Sequence, residues 1–275
     1  MDHYENFPVA SWLCPPRLRP AISAIYRFAR TADDIADEGD APASRRLADL
    51  LAYRDDLRAL ASDAPPGSRW PQVFQALRPV LHDFRLPISL LHQLLDAFEQ
   101  DVRFTASARR YQTDAELLDY CRLSANPVGR LLLHLYGVQD ERSLAQSDQI
   151  CSALQLINFW QDLSLDLARA RCYPSLEAMR QHQVYDADLR TLEPSTNASR
   201  MVASYVAQAR DMMREGASLA RRIPGRAGWE LRLVVQGGLR ITDKIEAINH
   251  ESWRQRPVLN PADLPLLLWR AWRMQ

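Results

Sequence analysis

Long stretches of the chain carry apolar side chains three and four residues apart, the spacing that lines one face of an α-helix. No stretch alternates apolar and polar residues between turn dipeptides, as a half-buried strand would. Turn chemistry interrupts the helical pattern at Pro42, at residues 62–68, near Pro87, at Tyr173-Pro174, at Ile223-Pro224-Gly225 and at Asn260-Pro261. The pattern predicts roughly ten helices, the main ones near 17–38, 43–61, 70–84, 87–101, 113–136, 140–168, 197–221, 227–256 and 260–273. Thr113 followed three residues later by Glu116 fits a capping box. Asn260 ahead of Pro261 fits an N-cap with proline at the first helical position. Asn126-Pro127 falls inside the 113–136 helix, so a kink is expected there, because a mid-helix proline removes one backbone hydrogen bond. The fold class is therefore all-α.

Composition narrows the function classes. The 275 residues are 47% apolar and carry 34 basic and 34 acidic side chains. A chain of this size can bury one large helical core or two small ones. Zero net charge provides no global field for nucleic acid or anionic lipid. Lys244 is the only lysine, and arginine suits bidentate phosphate contacts, although a compositional bias explains the excess equally well. Cys14, Cys121, Cys151 and Cys172 form no C-x-x-C pair and read as small apolar fillers in a reducing compartment. The start lacks the basic and apolar regions of a signal peptide, and no apolar run of about 18 residues is present. The expected location is the cytoplasm.

Two acidic stripes need an explanation. Asp33 and Asp37 lie four apart on one helical face, with Asp34 beside them and Arg30 one turn earlier. Asn158, Asp162 and Asp166 form a second oxygen-bearing row at successive four-residue steps. The residues leading into that row, Ile150 to Trp160, are apolar almost all round, which marks a helix buried on most faces. Carboxylates ~6 Å apart at an effective dielectric of ~20 repel by roughly 3 kcal/mol. A cation between them removes that cost, and Mg²⁺ is the natural candidate: it prefers carboxylate oxygens and shares its shell with substrate phosphates. A solvated acidic face is the alternative for either stripe alone.

At these residues the chain resembles the squalene/phytoene synthase family of head-to-head prenyltransferases. The resemblance runs over almost the whole chain, through Ala24-Ile25-Tyr26-Arg27-Phe28-Ala29-Arg30-Thr31-Ala32-Asp33-Asp34-Ile35-Ala36-Asp37, then Tyr120-Cys121-Arg122-Leu123-Ser124-Ala125-Asn126-Pro127-Val128-Gly129, then Leu156-Ile157-Asn158-Phe159-Trp160-Gln161-Asp162 to Asp166, and Arg171 with Tyr173. Glu5-Asn6-Phe7-Pro8-Val9-Ala10-Ser11 and Glu38-Gly39-Asp40 make it most similar to the hydroxysqualene synthases of bacterial hopanoid biosynthesis. Gln161 and Leu165 stand where many relatives carry Arg and Glu, and Asn6 where many carry Ser. The first two departures remove one charge of each sign beside the second row.

The resemblance implies a single isoprenoid-synthase bundle over 1–275 with a central apolar cavity. It implies conversion of presqualene diphosphate and water to hydroxysqualene and pyrophosphate, between a presqualene diphosphate synthase and a hydroxysqualene reductase. On this reading Asp33, Asp34, Asp37, Asn158, Asp162 and Asp166 hold Mg²⁺. Arg30 and Arg171 support the leaving diphosphate, and Phe7, Asn126 and Gln161 complete the substrate contacts. Tyr26, Tyr120 and Tyr173 steady a carbocation with ring faces or handle a proton, with core packing equally open for each. Phe159 and Trp160 line the cavity or pack the core, and His134 reads as a satisfied core histidine. Gly237-Gly238 lacks the setting of a dinucleotide fingerprint. The segment 265–273, aromatic and basic, reads first as a docked helix and second as a peripheral contact at the inner face of the membrane. Two other readings stand beside this one: condensation of prenyl diphosphates to presqualene diphosphate, squalene or phytoene, and a non-catalytic isoprenoid-binding partner subunit.

Overall fold

A computed structural model describes residues 14–274 apart from 63, 66, 68 and 192; Phe7 and the motif around it lie outside the described residues. Among the described residues the chain is helical, without a strand. Its contacts gather into two compact units, one from residues 14–109 with 127–140, the other from 110–126 with 141–274.

The first unit is built on α1 (Arg19–Asp37), α2 (Ala43–Ala61), α3 (Pro71–Asp83) and α4 (Ile88–Ser107). Helix α1 starts with Pro20 in its first turn, where a missing N–H costs nothing. It buries Ala21, Ala24, Ile25, Phe28, Ala32 and Ala36, a stripe at helical spacing. Phe28 packs on Tyr53 with ring centroids 5.0 Å apart, and Tyr53 packs on Phe74 at 4.9 Å. The Tyr53 hydroxyl donates to the Phe28 carbonyl at 3.1 Å, so the buried phenol is satisfied. Helix α1 ends at Asp37, and Gly39 in the following turn takes a φ of +74°, which suits a residue without a Cβ. Arg46 of α2 then donates to the carbonyls of Ile35, Gly39 and Ala41, holding that end in place.

In the second unit α7 (Glu141–Gln161) is the central rod. Helices α5 (Asp114–Ser124), α11 (Thr196–Gly216) and α13 (Gly225–Ala247) pack against it. Gly216 marks the closest approach: a Cβ there would lie 2.6 Å from Ile150 Cγ1 and 2.7 Å from the Gln146 carbonyl. Gly237 and Gly238 are buried inside α13, a helical setting that has nothing in common with a nucleotide loop. Helix α14 (Leu264–Arg273) lies against α13 behind an Asn260 cap that accepts from Ala262 N–H at 3.0 Å.

Four expected helices are divided or shortened. The 113–136 segment breaks at Ala125 into α5 and α6 (Asn126–Leu135), because Pro127 cannot continue the earlier ladder. The 140–168 segment breaks at Asp162 into α7 and α8 (Leu163–Ala168). The 197–221 segment gives α11 and the single turn α12 (Leu219–Arg222), and α13 stops at Ala247 rather than 256. Two short helices without long apolar periodicity, α9 (Leu176–Gln181) and α10 (Asp186–Arg190), were not expected. Thr113 accepts from Glu116 N–H at 3.2 Å as a cap should, but Glu116 reaches back to Gln112 N–H at 2.7 Å, one residue before the cap.

Candidate active site

Helix α1 places Tyr26, Arg30, Asp33 and Asp37 on one stripe, since steps of four, three and four residues return to the same face. That stripe is turned away from the buried Phe28 and Ala32. Arg30 is the local counter-ion: Nη1 lies 3.0 Å from Asp33 Oδ2 and Nη2 2.6 Å from Asp34 Oδ1. All five side chains are half-buried. Hydrogen bonds to charged groups of this kind are short and fix geometry, so the carboxylates of Asp33 and Asp34 are oriented before any ligand arrives.

The second row belongs to the other unit. Asn158 is exposed near the end of α7, whose buried face includes Leu156, Ile157, Phe159 and Trp160. Asp162 sits between α7 and α8; its N–H bonds the Asn158 carbonyl at 2.8 Å, and its own carbonyl accepts from Asp166 N–H at 2.9 Å. The row therefore keeps its spacing across the break. Arg171 N–H donates to the Asp166 carbonyl at 2.8 Å after a turn in which Ala170 takes φ +59°, a left-handed conformation that costs a Cβ-bearing residue about 1 kcal/mol. The chain is thereby folded back so that Arg171 follows directly on the acidic row.

Arg256 is the site residue that sequence reasoning missed. Its Nε lies 2.6 Å from Asp162 Oδ1 and its Nη2 3.4 Å from Oδ2. Gln161, expected to contact substrate, is fully buried, and its Nε2 donates to the Pro257 carbonyl at 2.8 Å. It thus ties down the segment that carries Arg256. The positive charge beside Asp162 comes from 94 residues away in sequence, a separation that leaves no periodic signal. Asn126, also expected to contact substrate, is buried, and its Oδ1 accepts from Ser152 Oγ at 2.8 Å.

Beside this row lies an aromatic cluster. Tyr173 stacks on Phe159 with centroids 3.7 Å apart, and Tyr120 stands 6.2 Å from Phe159. Tyr111 joins Tyr120 at 5.9 Å and Tyr173 at 6.3 Å. Trp160 is fully buried and stacks on Tyr205 at 4.1 Å, with its indole N–H unpartnered among the described residues. The Tyr205 hydroxyl donates to Asp114 at 2.7 Å and accepts from Ser175 N–H at 3.1 Å, and Ser175 Oγ donates to Asp114 at 2.7 Å. This network anchors the Tyr173-Pro174-Ser175 turn, and burial pushes the Tyr205 phenol well above its ordinary pKa. His134 is satisfied by the Phe84 carbonyl at 2.8 Å. Burial also raises the Cys121 thiol to about 12 and Cys172 to about 11, so neither is a ready nucleophile.

Among the described residues of either unit, no three carboxylate, imidazole or thiol groups are gathered into a ready-made metal shell. The donor set nevertheless fits Mg²⁺, which takes oxygen ligands and is typically held by one or two carboxylates together with substrate phosphates and water. Both rows offer half-buried carboxylates of that kind.

Comparison with known proteins gives a consistent result. A family model described as squalene/phytoene synthase matches residues 1–263. A hydroxysqualene synthase of Zymomonas mobilis is 41% identical over 165 residues, covering 59% of this chain and 51% of the relative, so the match spans about half of that protein. A hydroxysqualene synthase of Sinorhizobium fredii is 31% identical over 269 residues, 97% of this chain and 87% of the relative. Among solved structures, the squalene synthase HpnC from Alicyclobacillus acidocaldarius superposes with a TM-score of 0.81 at 33% identity, over 90% of each chain.

Proposed function

Because the chain belongs to the squalene/phytoene synthase family, matched over 1–263, we propose that it converts presqualene diphosphate and water to hydroxysqualene and pyrophosphate in hopanoid biosynthesis. One observation carries this reading: similarity to a hydroxysqualene synthase over 97% of the chain and 87% of the relative.

The reaction starts with cleavage of a C–O bond, whose electron pair leaves with the pyrophosphate. Asp33 and Asp37 on α1, and Asn158, Asp162 and Asp166 around the α7–α8 break, are the oxygen donors for Mg²⁺. Mg²⁺, when bound, neutralises the negative charge that grows on the departing diphosphate. Arg30 keeps Asp33 and Asp34 oriented through its two short ion pairs and adds positive charge toward the leaving group, as does Arg171 after the second row. Tyr120, Phe159 and Tyr173, which pack on one another, are the candidates to steady the cation left behind with a ring face. A water oxygen then captures that cation and gives up a proton; the hydroxyls of Tyr26, Tyr120 and Tyr173 are the candidates to relay it to the released pyrophosphate.

The test is to incubate the purified protein with Mg²⁺ and no nicotinamide, with presqualene diphosphate in one reaction and farnesyl diphosphate in another, and to analyse products by gas chromatography and mass spectrometry. Hydroxysqualene from the first reaction and no product from the second is the expected outcome. Presqualene diphosphate formed from farnesyl diphosphate replaces this reading with the condensation step. No pyrophosphate from either substrate assigns the chain a non-catalytic role.

A further inference from the structure

Helix α14 docks by Leu267 and Ala271 against α13 and turns its other side outward. At 3.6 residues per turn, Leu264, Pro265, Leu268, Trp269, Trp272 and Arg273 fall within about half of the helix circumference. Leu264, Leu268, Trp269 and Trp272 are each about half exposed, and they account for four of the large hydrophobic side chains exposed among the described residues. Two tryptophans and two leucines held open to water on one short helix make a patch whose burial is favourable. The guanidinium of Arg273 lies 4.9 Å over the Trp269 ring, at the edge of that patch.

The charges around the patch indicate what covers it. Helix α14 carries no carboxylate. The nearby acids are already neutralised from within the protein: Asp243 by Arg270 at 2.7 Å, and Asp263 by Arg240 at 2.7 Å and Lys244 at 2.8 Å. Among the described residues the uncompensated charge at the face is therefore positive. Tryptophan with arginine on one face, above an apolar row, matches the boundary between lipid headgroups and acyl chains, where an amphipathic ring is favoured and a cation meets anionic phosphate. Among the described residues no helix is long and apolar enough to cross a membrane, so the contact would lie in the plane of the surface.

From this geometry we infer that the outward face of α14, formed by Leu264, Leu268, Trp269, Trp272 and Arg273, seats the protein on an anionic lipid surface. Arg270 stays bound to Asp243, and Arg273 with the two indoles enters the headgroup layer. An enzyme of a family that handles long hydrocarbon chains thereby stands where such chains dissolve.

The test uses the full chain and vesicles of phosphatidylcholine with or without phosphatidylglycerol. The protein is expected to sediment with the anionic vesicles and to lose that binding in high salt. The W269S/W272S variant is expected to bind at least roughly tenfold more weakly, given the apolar area removed. R273Q is expected to lower binding to the anionic vesicles alone. Brominated phosphatidylglycerol is expected to quench the wild-type tryptophan fluorescence, and this measurement decides the matter should the double variant fail to fold. Absence of sedimentation and quenching, or undiminished binding by a folded W269S/W272S, overturns the proposal. So does a concentration-dependent dimer that the double variant abolishes without any lipid binding, since the face would then belong to a second copy.

Discussion

If Asp162 holds Mg²⁺ as proposed, its ion pair with Arg256 puts two cations in competition for one carboxylate. The guanidinium contacts both carboxylate oxygens, at 2.6 and 3.4 Å. Unit charges 4 Å apart attract by about 4 kcal/mol at an effective dielectric of ~20. The two side chains are 25% and 31% exposed, and solvent screening with the ordering of two long side chains offsets much of that attraction, leaving about 1–2 kcal/mol net. A Mg²⁺ ion that takes Asp162 as a ligand then competes with the guanidinium for the same two oxygens. R256Q is therefore expected to have two opposite effects. Urea unfolding of the metal-free protein should show a loss of about 1–2 kcal/mol. Isothermal titration with Mg²⁺ alone should show binding roughly tenfold tighter, the equivalent of about 1.4 kcal/mol. R256K, which keeps the charge and loses the planar fork, should fall between. A weaker Mg²⁺ affinity in R256Q refutes the reasoning, because Arg256 would then be orienting Asp162 for the metal rather than competing with it. An unchanged affinity removes Asp162 from the ligand set.

Three further outcomes follow from the geometry. Gly216→Ala forces a methyl group against Ile150 and the Gln146 carbonyl, and should destabilise the protein by about 1–3 kcal/mol in urea unfolding. Tyr205→Phe leaves Asp114 and Ser175 N–H short of a partner, costing about 1–3 kcal/mol in the same measurement. Burial alone would raise the Asp263 carboxyl, but Lys244, the Asn260 N–H and Arg240 hold it down at about 2, below its ordinary 3.8. A depressed carboxyl pKa contributes stability that is fully present above pH ~4 and is lost as pH falls toward 2, on the order of 2 kcal/mol. Melting temperatures of wild type between pH 5 and 2 should drop more steeply than those of D263N.

The sequence made the long helices legible because their faces are one-sided: α1 and α11 each bury a clean stripe. It misjudged breaks that depend on a single backbone event. Pro127 ends a ladder rather than bending it, and at Asp162 the helix interrupts between Gln161 and Leu163 while the oxygen row survives. Helices α9 and α10 are too short for any period to register. In the site, Arg30 with its two aspartates was readable because all three lie within one turn. Arg256 was not, because the contact with Asp162 closes a 94-residue loop that only tertiary packing specifies. Gln161 and Asn126 were singled out from the motifs of the resemblance; Gln161 Nε2 donates to the Pro257 carbonyl and Asn126 Oδ1 accepts from Ser152 Oγ, contacts that no sequence period announces.

The carboxylates of both rows, with Mg²⁺, are proposed to take pyrophosphate off a prenyl chain. Pyrophosphate release from presqualene diphosphate, measured on chelator-stripped protein with and without added Mg²⁺ beside D33N and D162N, tests it most directly. The expected result is no release without the ion, restoration on its return, and a loss of about a hundredfold or more in each variant, the scale set by removing one group that stabilises developing charge. Release by the stripped protein, or a wild-type rate in either variant, contradicts it.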